Sequence, residues 1–349
     1  MKSSRKPMPS RFSFQLALPR GYKATDAVHF HGRDKEAVSE AVTDVALRKG
    51  ILLDGVPTVF DIEFEPSKAS VLIQGVAEPA LPVRQRRPLE GARVAGTGRA
   101  SPAGPVAKKH AACTVSADGK LTDAMQAQAR DIVLGLLGLR LDPRRFAAFV
   151  AADPVFGPLA KKQKTLRIVQ ASSVYEALTW AVMGQQINVA FAVTLRRTFI
   201  QLAGRRHSSG LWCYPSPADA ARLPIEELTS RQYSRSKAET ILRLSALVAS
   251  GELDLVESAA NPVESICAAL LAVKGIGPWT VNYAMLRGFG QPDCSLHGDV
   301  AVRSAIGRLW GLETRPGIAE TEEFLKRYSP HRTMAAAHLW ASLSAQTGY

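Results

Sequence analysis

The chain has 349 residues, 46% hydrophobic and 21% charged, with a net charge of +13. That composition excludes a wholly disordered chain, and the length allows two or three buried cores. The basic excess favours a polyanionic partner: nucleic acid first, an acidic membrane second, a ribosome-type assembly third. No run approaches membrane-spanning length, and the basic start Met1–Arg11 lacks the apolar stretch of a secretory signal. A soluble cytoplasmic protein with no membrane partner is therefore expected. Cys113, Cys213, Cys267 and Cys294 are scattered, without the short spacing of a zinc ribbon or the clustered spacing of an iron–sulfur loop, which fits a reducing compartment.

Residues 1–11 read as a frayed polar tail. Phe12 to Leu18 alternates apolar and smaller or polar residues as a strand does, and Pro19-Arg20-Gly21 ends it. Asp34 to Arg48 has helical spacing through Ala37, Val38, Ala41, Val45 and Leu47. Val59 to Glu65 and Val71 to Val76 read as further strands, and Thr122 to Leu139 as an amphipathic helix through Met125, Ala129, Ile132, Val133 and Leu136. Strands and helices over 12–141 predict a small α+β domain. The Pro-, Gly- and Arg-rich interval at about 82–110 is expected to interrupt it as a disordered basic insertion, either a solvated linker or a non-specific DNA arm.

From residue 142 to 349 the pattern is helical, with no strand expected. Val174 to Leu202 is one long apolar-periodic segment, too polar at Gln185-Gln186 and Arg196-Arg197 to span a membrane. A helix start is expected at Ser216-Pro217-Ala218-Asp219, and helices over Ser236–Ser250 and Pro262–Ala272. Further helices are expected over Asp299–Trp310, Glu320–Tyr328 and Arg332–Ser344. Between them, in a hairpin at about 264–288, lies Lys274-Gly275-Ile276-Gly277-Pro278-Trp279-Thr280. The two glycines allow positive φ or close backbone approach, and Pro278 suits the first turn of the helix that follows. The unpaired N–H groups there, with the positive end of the helix dipole, form a seat for a phosphate. About twenty residues later Asp299 starts another helix.

A glycine-hydrophobic-glycine hairpin followed by one aspartate at this spacing resembles the helix-hairpin-helix DNA glycosylase superfamily. The supporting segments are Ala181-Val182-Met183-Gly184-Gln185-Gln186, Tyr233 to Ala238, and Tyr328-Ser329-Pro330-His331-Arg332 running to His338-Leu339-Trp340. The match is nearest to the 3-methyladenine DNA glycosylase II branch, because Trp279 stands where lyase-type members carry a lysine. The resemblance implies a fold of an α+β N-terminal domain followed by an all-α helix-hairpin-helix glycosylase bundle. It also implies a partner, double-stranded DNA with alkylated bases, and monofunctional hydrolysis of the N-glycosidic bond. No catalytic cofactor and no iron–sulfur cluster are expected, and a monomer is the default.

Taken alone, Asp299 reads as a helix N-cap. By resemblance it is the catalytic carboxylate, placed beneath the sugar as cationic charge develops or orienting the attacking water. Trp279, Tyr283 and Trp340, otherwise core aromatics, become the pocket for a flipped base, whose electron-rich faces would favour a cationic purine. Gln186, where the type member has leucine, and Ile187 are the two candidates for the wedge that fills the vacated stack. Gly275, Ile276, Gly277 and Thr280 are the expected phosphate contacts, with Arg235, Lys237 and Arg332 as further candidates. The backbone carbonyls of Leu271, Val273 and Ile276 match those that hold a structural Na+ or K+ in the family. His297 and His338 read as structural. A glycosylase for deaminated bases, or a non-catalytic hairpin that only binds DNA, are the rival readings.

Overall fold

A computed structural model of the chain describes residues 10–64 and 109–347, with side chains to residue 343. The expected strand over 71–76 and nearly all of the basic interval lie outside the described residues. The first region is a five-stranded antiparallel sheet in the order β1-β5-β4-β3-β2. Its strands are β1 (Ser10–Ala17), β2 (Glu40–Thr43), β3 (Ala46–Leu53), β4 (Val56–Glu63) and β5 (His110–Ala117). The strands expected at 12–18 and 59–65 are β1 and β4, and Ser10 and Arg11, expected in the frayed tail, are instead paired with Ala117 and Ser116 in β1. His110, assigned to the insertion from sequence, is instead the first residue of β5.

The helix expected over Asp34–Arg48 is absent. That stretch enters the β2–β3 hairpin, with Val42 facing Leu47 and Thr43 facing Ala46 across it. The apolar spacing fits a helix by number, but ladder pairing and burial decide short segments. The helix that does form lies just before, α1 (Thr25–His31), and α2 (Asp123–Leu136) is capped by Thr122, whose hydroxyl accepts from Met125 N at 3.2 Å. Phe14, Leu47, Leu53, Phe60, Ile62 and Val115 pack against α1 and α2 in one core.

A second, larger core belongs to the helices α3 (Pro143–Phe149), α4 (Phe156–Lys162), α5 (Val174–Gly184) and α6 (Val189–Ala203) together with those that follow. The long segment expected from 174 is thus two helices. Gln185 leaves the α5 spiral for extended backbone (ψ 126°), and Asn188 caps α6 by accepting from Phe191 N at 2.9 Å. Then come α7 (Pro217–Ala220), α8 (Ile225–Thr229), α9 (Arg235–Ser250), α10 (Val263–Ala272), α11 (Pro278–Ala284), a π-helical turn (Met285–Phe289), α12 (Val300–Leu309), α13 (Ile318–Lys326) and α14 (Arg332–Thr347).

The expectation of no strand after 141 is overturned. Two-residue strands β6 (Arg205–Arg206) and β7 (Trp212–Cys213) pair with each other, and Trp212 N donates to Val38 O at 3.0 Å. This small hairpin fastens the bundle to the sheet. Gly50 of β3 comes so close that an added Cβ would lie 2.2 Å from the Trp212 carbonyl oxygen.

A buried charge cluster makes the second joint. Lys49 of β3, only 1% exposed, contacts Glu40 of β2 and, at 3.0 Å, Glu176 of α5. Arg196 of α6 reaches Glu176 at 2.6 Å and Glu40 at 3.2 Å, and His31 Nδ1 is 2.9 Å from Glu40. Burial alone pushes both carboxyl pKa values up, but Lys49 and Arg196 outweigh it: Glu40 falls well below its usual value and Glu176 to about 2. Burial lowers the pKa of His31.

Candidate active site

The hairpin and Asp299 meet at one cleft. α10 stops at Val273, whose carbonyl accepts from Ile276 N at 3.0 Å. Gly275 takes φ +97°, and a Cβ there would lie 2.1 Å from the Thr240 hydroxyl, so the turn demands glycine. Gly277 caps α11, Pro278 follows at its first position, and Val281 N donates back to Gly277 O at 3.1 Å. A cleft of about 1170 Å³ is lined by Gln185, Gln186, Ile187, Gly277, Pro278, Trp279, Thr280, Asp299 and Val300, among others.

Asp299 caps α12, its Oδ1 accepting from Val302 N at 2.9 Å. The cap read from the sequence is therefore present, and more is attached to it. Trp279 Nε1 donates to Oδ2 at 2.9 Å and Trp340 Nε1 donates to Oδ1 at 3.0 Å. Two indoles from helices on either side and one backbone N–H thus fix both carboxylate oxygens. Among the described residues no cation forms an ion pair with Asp299. The sequence singled out both tryptophans, but not that their N–H groups orient the aspartate, because the direction of an indole N–H depends on packing between α11 and α14.

Trp279, Tyr283 and Trp340 come together. Tyr283 is buried with its ring centroid 5.4 Å from Trp279 and 6.5 Å from Trp340. Behind it lies a small recess of about 30 Å³, shared with Phe30, Trp180 and Arg287. Phe30, on α1 of the sheet region, was missed: a single aromatic on a short helix gives no signal until the two regions are packed. Arg287, in the π turn, was missed as well. Its guanidinium sits 5.4 Å from the Trp340 ring centroid and 4.8 Å from that of Phe30, and burial lowers its pKa. π turns of this kind often occur at functional sites.

The two wedge candidates diverge. Gln186 is exposed and held at φ +57°, whereas Ile187 is half-buried against the bundle core. Thr280 differs from expectation: it is 1% exposed and its hydroxyl accepts from Gln185 Nε2 at 3.1 Å, so its side chain faces the protein rather than a phosphate.

The basic candidates also fall inward or into pairs. Arg332 forks onto Asp293 at 2.7 and 2.8 Å. Lys237 Nζ donates to Met183 O at 2.8 Å, and burial lowers its pKa. Arg235 pairs with Glu239 at 3.2 Å on the surface. His338 is buried, stacks on Phe146 at 5.1 Å and has its pKa lowered by burial to about 4; His297 Nδ1 lies 2.9 Å from the Ser295 hydroxyl. Leu271, Val273 and Ile276 offer neutral backbone oxygens near the negative end of α10, a donor type that suits a hard cation. No described helix is long and apolar enough to cross a membrane.

Comparison with known proteins points the same way. Residues 179–331 match the model of the HhH-GPD superfamily base excision DNA repair protein. A putative DNA-3-methyladenine glycosylase of Bacillus subtilis is 33% identical over 171 residues, 49% of this chain and 59% of that protein. A DNA-3-methyladenine glycosylase of the same organism is 30% identical over 201 residues, 57% of this chain and 66% of that protein. The chain therefore spans less than two thirds of either. Among solved structures, the 3-methyladenine DNA glycosylase of Archaeoglobus fulgidus superposes with a TM-score of 0.70 over 96% of this chain and 99% of its own, at 18% identity, a likeness of fold.

Proposed function

Residues 179–331 belong to the HhH-GPD superfamily of base excision repair proteins, and on that premise we propose that the chain is a monofunctional DNA glycosylase that removes alkylated purines, chiefly 3-methyladenine. The observation that carries the proposal is Asp299, a cleft-wall carboxylate fixed by Trp279, Trp340 and the Val302 N–H beside the hairpin. Breaking the N-glycosidic bond sends its electron pair to the departing base and leaves positive charge on the sugar. A carboxylate held in place before the reaction stabilises that charge more than it stabilises the ground state, in which the sugar is uncharged. A ring-alkylated purine is cationic while attached and leaves neutral, so its bond is already weak. Water then adds to C1′ and gives up a proton, and the product is an abasic strand.

The hairpin N–H of Gly277 would face a phosphate, whereas that of Ile276, also expected there, is already donated to Val273 O; a monovalent cation held by the carbonyls of Leu271, Val273 and Ile276 would add positive charge there. Trp279 has no amine with which to form a Schiff base, so no strand cleavage is expected. Base release from methylated duplex DNA, with products separated by chromatography, tests the reading. Free 3-methyladenine from the wild type but not from Asp299→Asn, with strands left intact, is the expected result. Tight DNA binding without release would leave only a hairpin binding module, and borohydride trapping of a protein–DNA adduct would overturn the water-based chemistry.

A second reading is favoured by Arg287. A guanidinium against the Trp340 face competes with a cationic base for that face and favours a neutral base carrying a carbonyl, such as hypoxanthine. Release rates on paired hypoxanthine and 3-methyladenine duplexes decide between them.

A further inference from the structure

Gln186 sits in left-handed backbone, which a residue with a Cβ adopts only when its surroundings impose it. Three ties impose it. Before the loop, Lys237 Nζ holds the Met183 carbonyl at the end of α5. After it, Asn188 caps α6. Between them, the Gln185 amide Nε2 reaches across the cleft to Gly275 O at 3.2 Å and Thr280 Oγ1 at 3.1 Å, one acceptor in the turn of the hairpin and one on the helix after it. Among the described residues these two are the direct hydrogen bonds from residues 185–188 to the hairpin. α9 backs both sides from behind: Lys237 holds α5, while Thr240 and Arg243, three and six positions on, reach the Lys274 carbonyl of the hairpin at 3.5 and 3.2 Å.

We propose that Gln185 is a positioning residue, which locks the loop presenting Gln186 to the phosphate-facing hairpin so that gripping the DNA backbone and filling the opened stack happen together. The inference rests on the glycosylase reading above and adds to it a specific mechanical link. Gln185 touches neither the sugar nor the base; it acts through where it holds Gln186. Without it, DNA still docks on the hairpin, but the loop is free to lag behind and the flipped state is less populated.

The test uses the full chain, as wild type, Gln185→Leu and Gln185→Glu. The leucine removes the donor, and the glutamate keeps the shape while facing the Gly275 carbonyl with an acceptor. Flipping is read by stopped-flow fluorescence of 2-aminopurine placed beside a non-hydrolysable lesion analogue, and release is read at saturating enzyme. Both variants should lose about tenfold in flipped population and in single-turnover release, the scale of losing one or two neutral hydrogen bonds. Duplex affinity should stay within about twofold, as for a surface substitution. Unchanged flipping, or lost affinity and thermal stability with flipping per bound complex intact, overturns the proposal. If the leucine variant does not fold, the isosteric glutamate variant decides. Wild type that flips the lesion but releases no base sinks the glycosylase reading while leaving the link standing; wild type that does neither sinks both.

Discussion

Two carboxylate sites in this molecule are treated in opposite ways. Glu40 and Glu176, 8% and 5% exposed at the side chain, are each matched by Lys49 and Arg196 across the seam between sheet and bundle. Asp299, half-buried at the cleft, is held by three neutral N–H donors and forms no ion pair among the described residues. At the first site the negative charge is compensated within the fold and has nothing left to offer a ligand. At the second the geometry is fixed but the charge is not cancelled. A carboxylate that must meet a developing cation needs the second arrangement. The contrast separates a joint from the proposed reactive centre more sharply than burial does.

The largest expected effect is on the joint. Glu176→Leu leaves Lys49 and Arg196 sharing Glu40, and removing one partner of a buried ion pair costs about 3–5 kcal/mol. Urea denaturation should show that loss, while base release per folded molecule stays unchanged. A loss below about 1 kcal/mol, the range of an exposed pair, would break the comparison. The same variant carries a pH signature. Glu176 is held at about 2 against an ordinary 4.5, so its contribution is complete above pH 4.5 and disappears as the pH falls from 4.5 towards 2. The stability of the variant should fall less steeply than that of the wild type across that window.

Next is the proposed reactive centre. Asn caps a helix about as well as Asp but turns an NH2 towards one indole N–H, so Asp299→Asn should cost only about 1 kcal/mol of stability while lowering single-turnover release about 10²–10³-fold, the scale for removing one preorganised electrostatic group. Stability lost in proportion to activity would put Asp299 in the same class as Glu176. The smallest effect sharpens the picture within the site. Trp340→Phe keeps an aromatic wall and removes the donor to Oδ1, so release should fall roughly 3–10-fold, one neutral hydrogen bond's worth. No change would mean that Trp279 and the Val302 N–H suffice to aim the carboxylate.

The elements around the cleft were more legible in the sequence than the joint. The hairpin, Asp299 and the aromatic trio lie within a short span or recur in ordered segments, and helix periodicity placed α2, α9, α10, α12 and α14 close to their observed bounds. The charge cluster was invisible because Lys49 and Glu176 stand 127 positions apart, and Lys and Glu in a strand or helix read as solvent-facing until a partner is known. The misread of Asp34–Arg48 has the same origin. Which face of a short segment is buried was decided by the helices packed on the sheet and by the β7 edge that approaches Gly50. Thr280 shows the limit inside the motif itself: its place at a helix start was legible, but not which way its hydroxyl turns.

The β4–β5 ladder has a practical consequence. Glu63 faces Ala112 across it, so the chain leaves the sheet and re-enters at adjoining positions, and β5 then pairs with β1 on its other side. Closing a loop costs only logarithmically more as it lengthens. The ladder therefore pins the two ends of that connection side by side, at a cost that depends only weakly on how many residues lie between them.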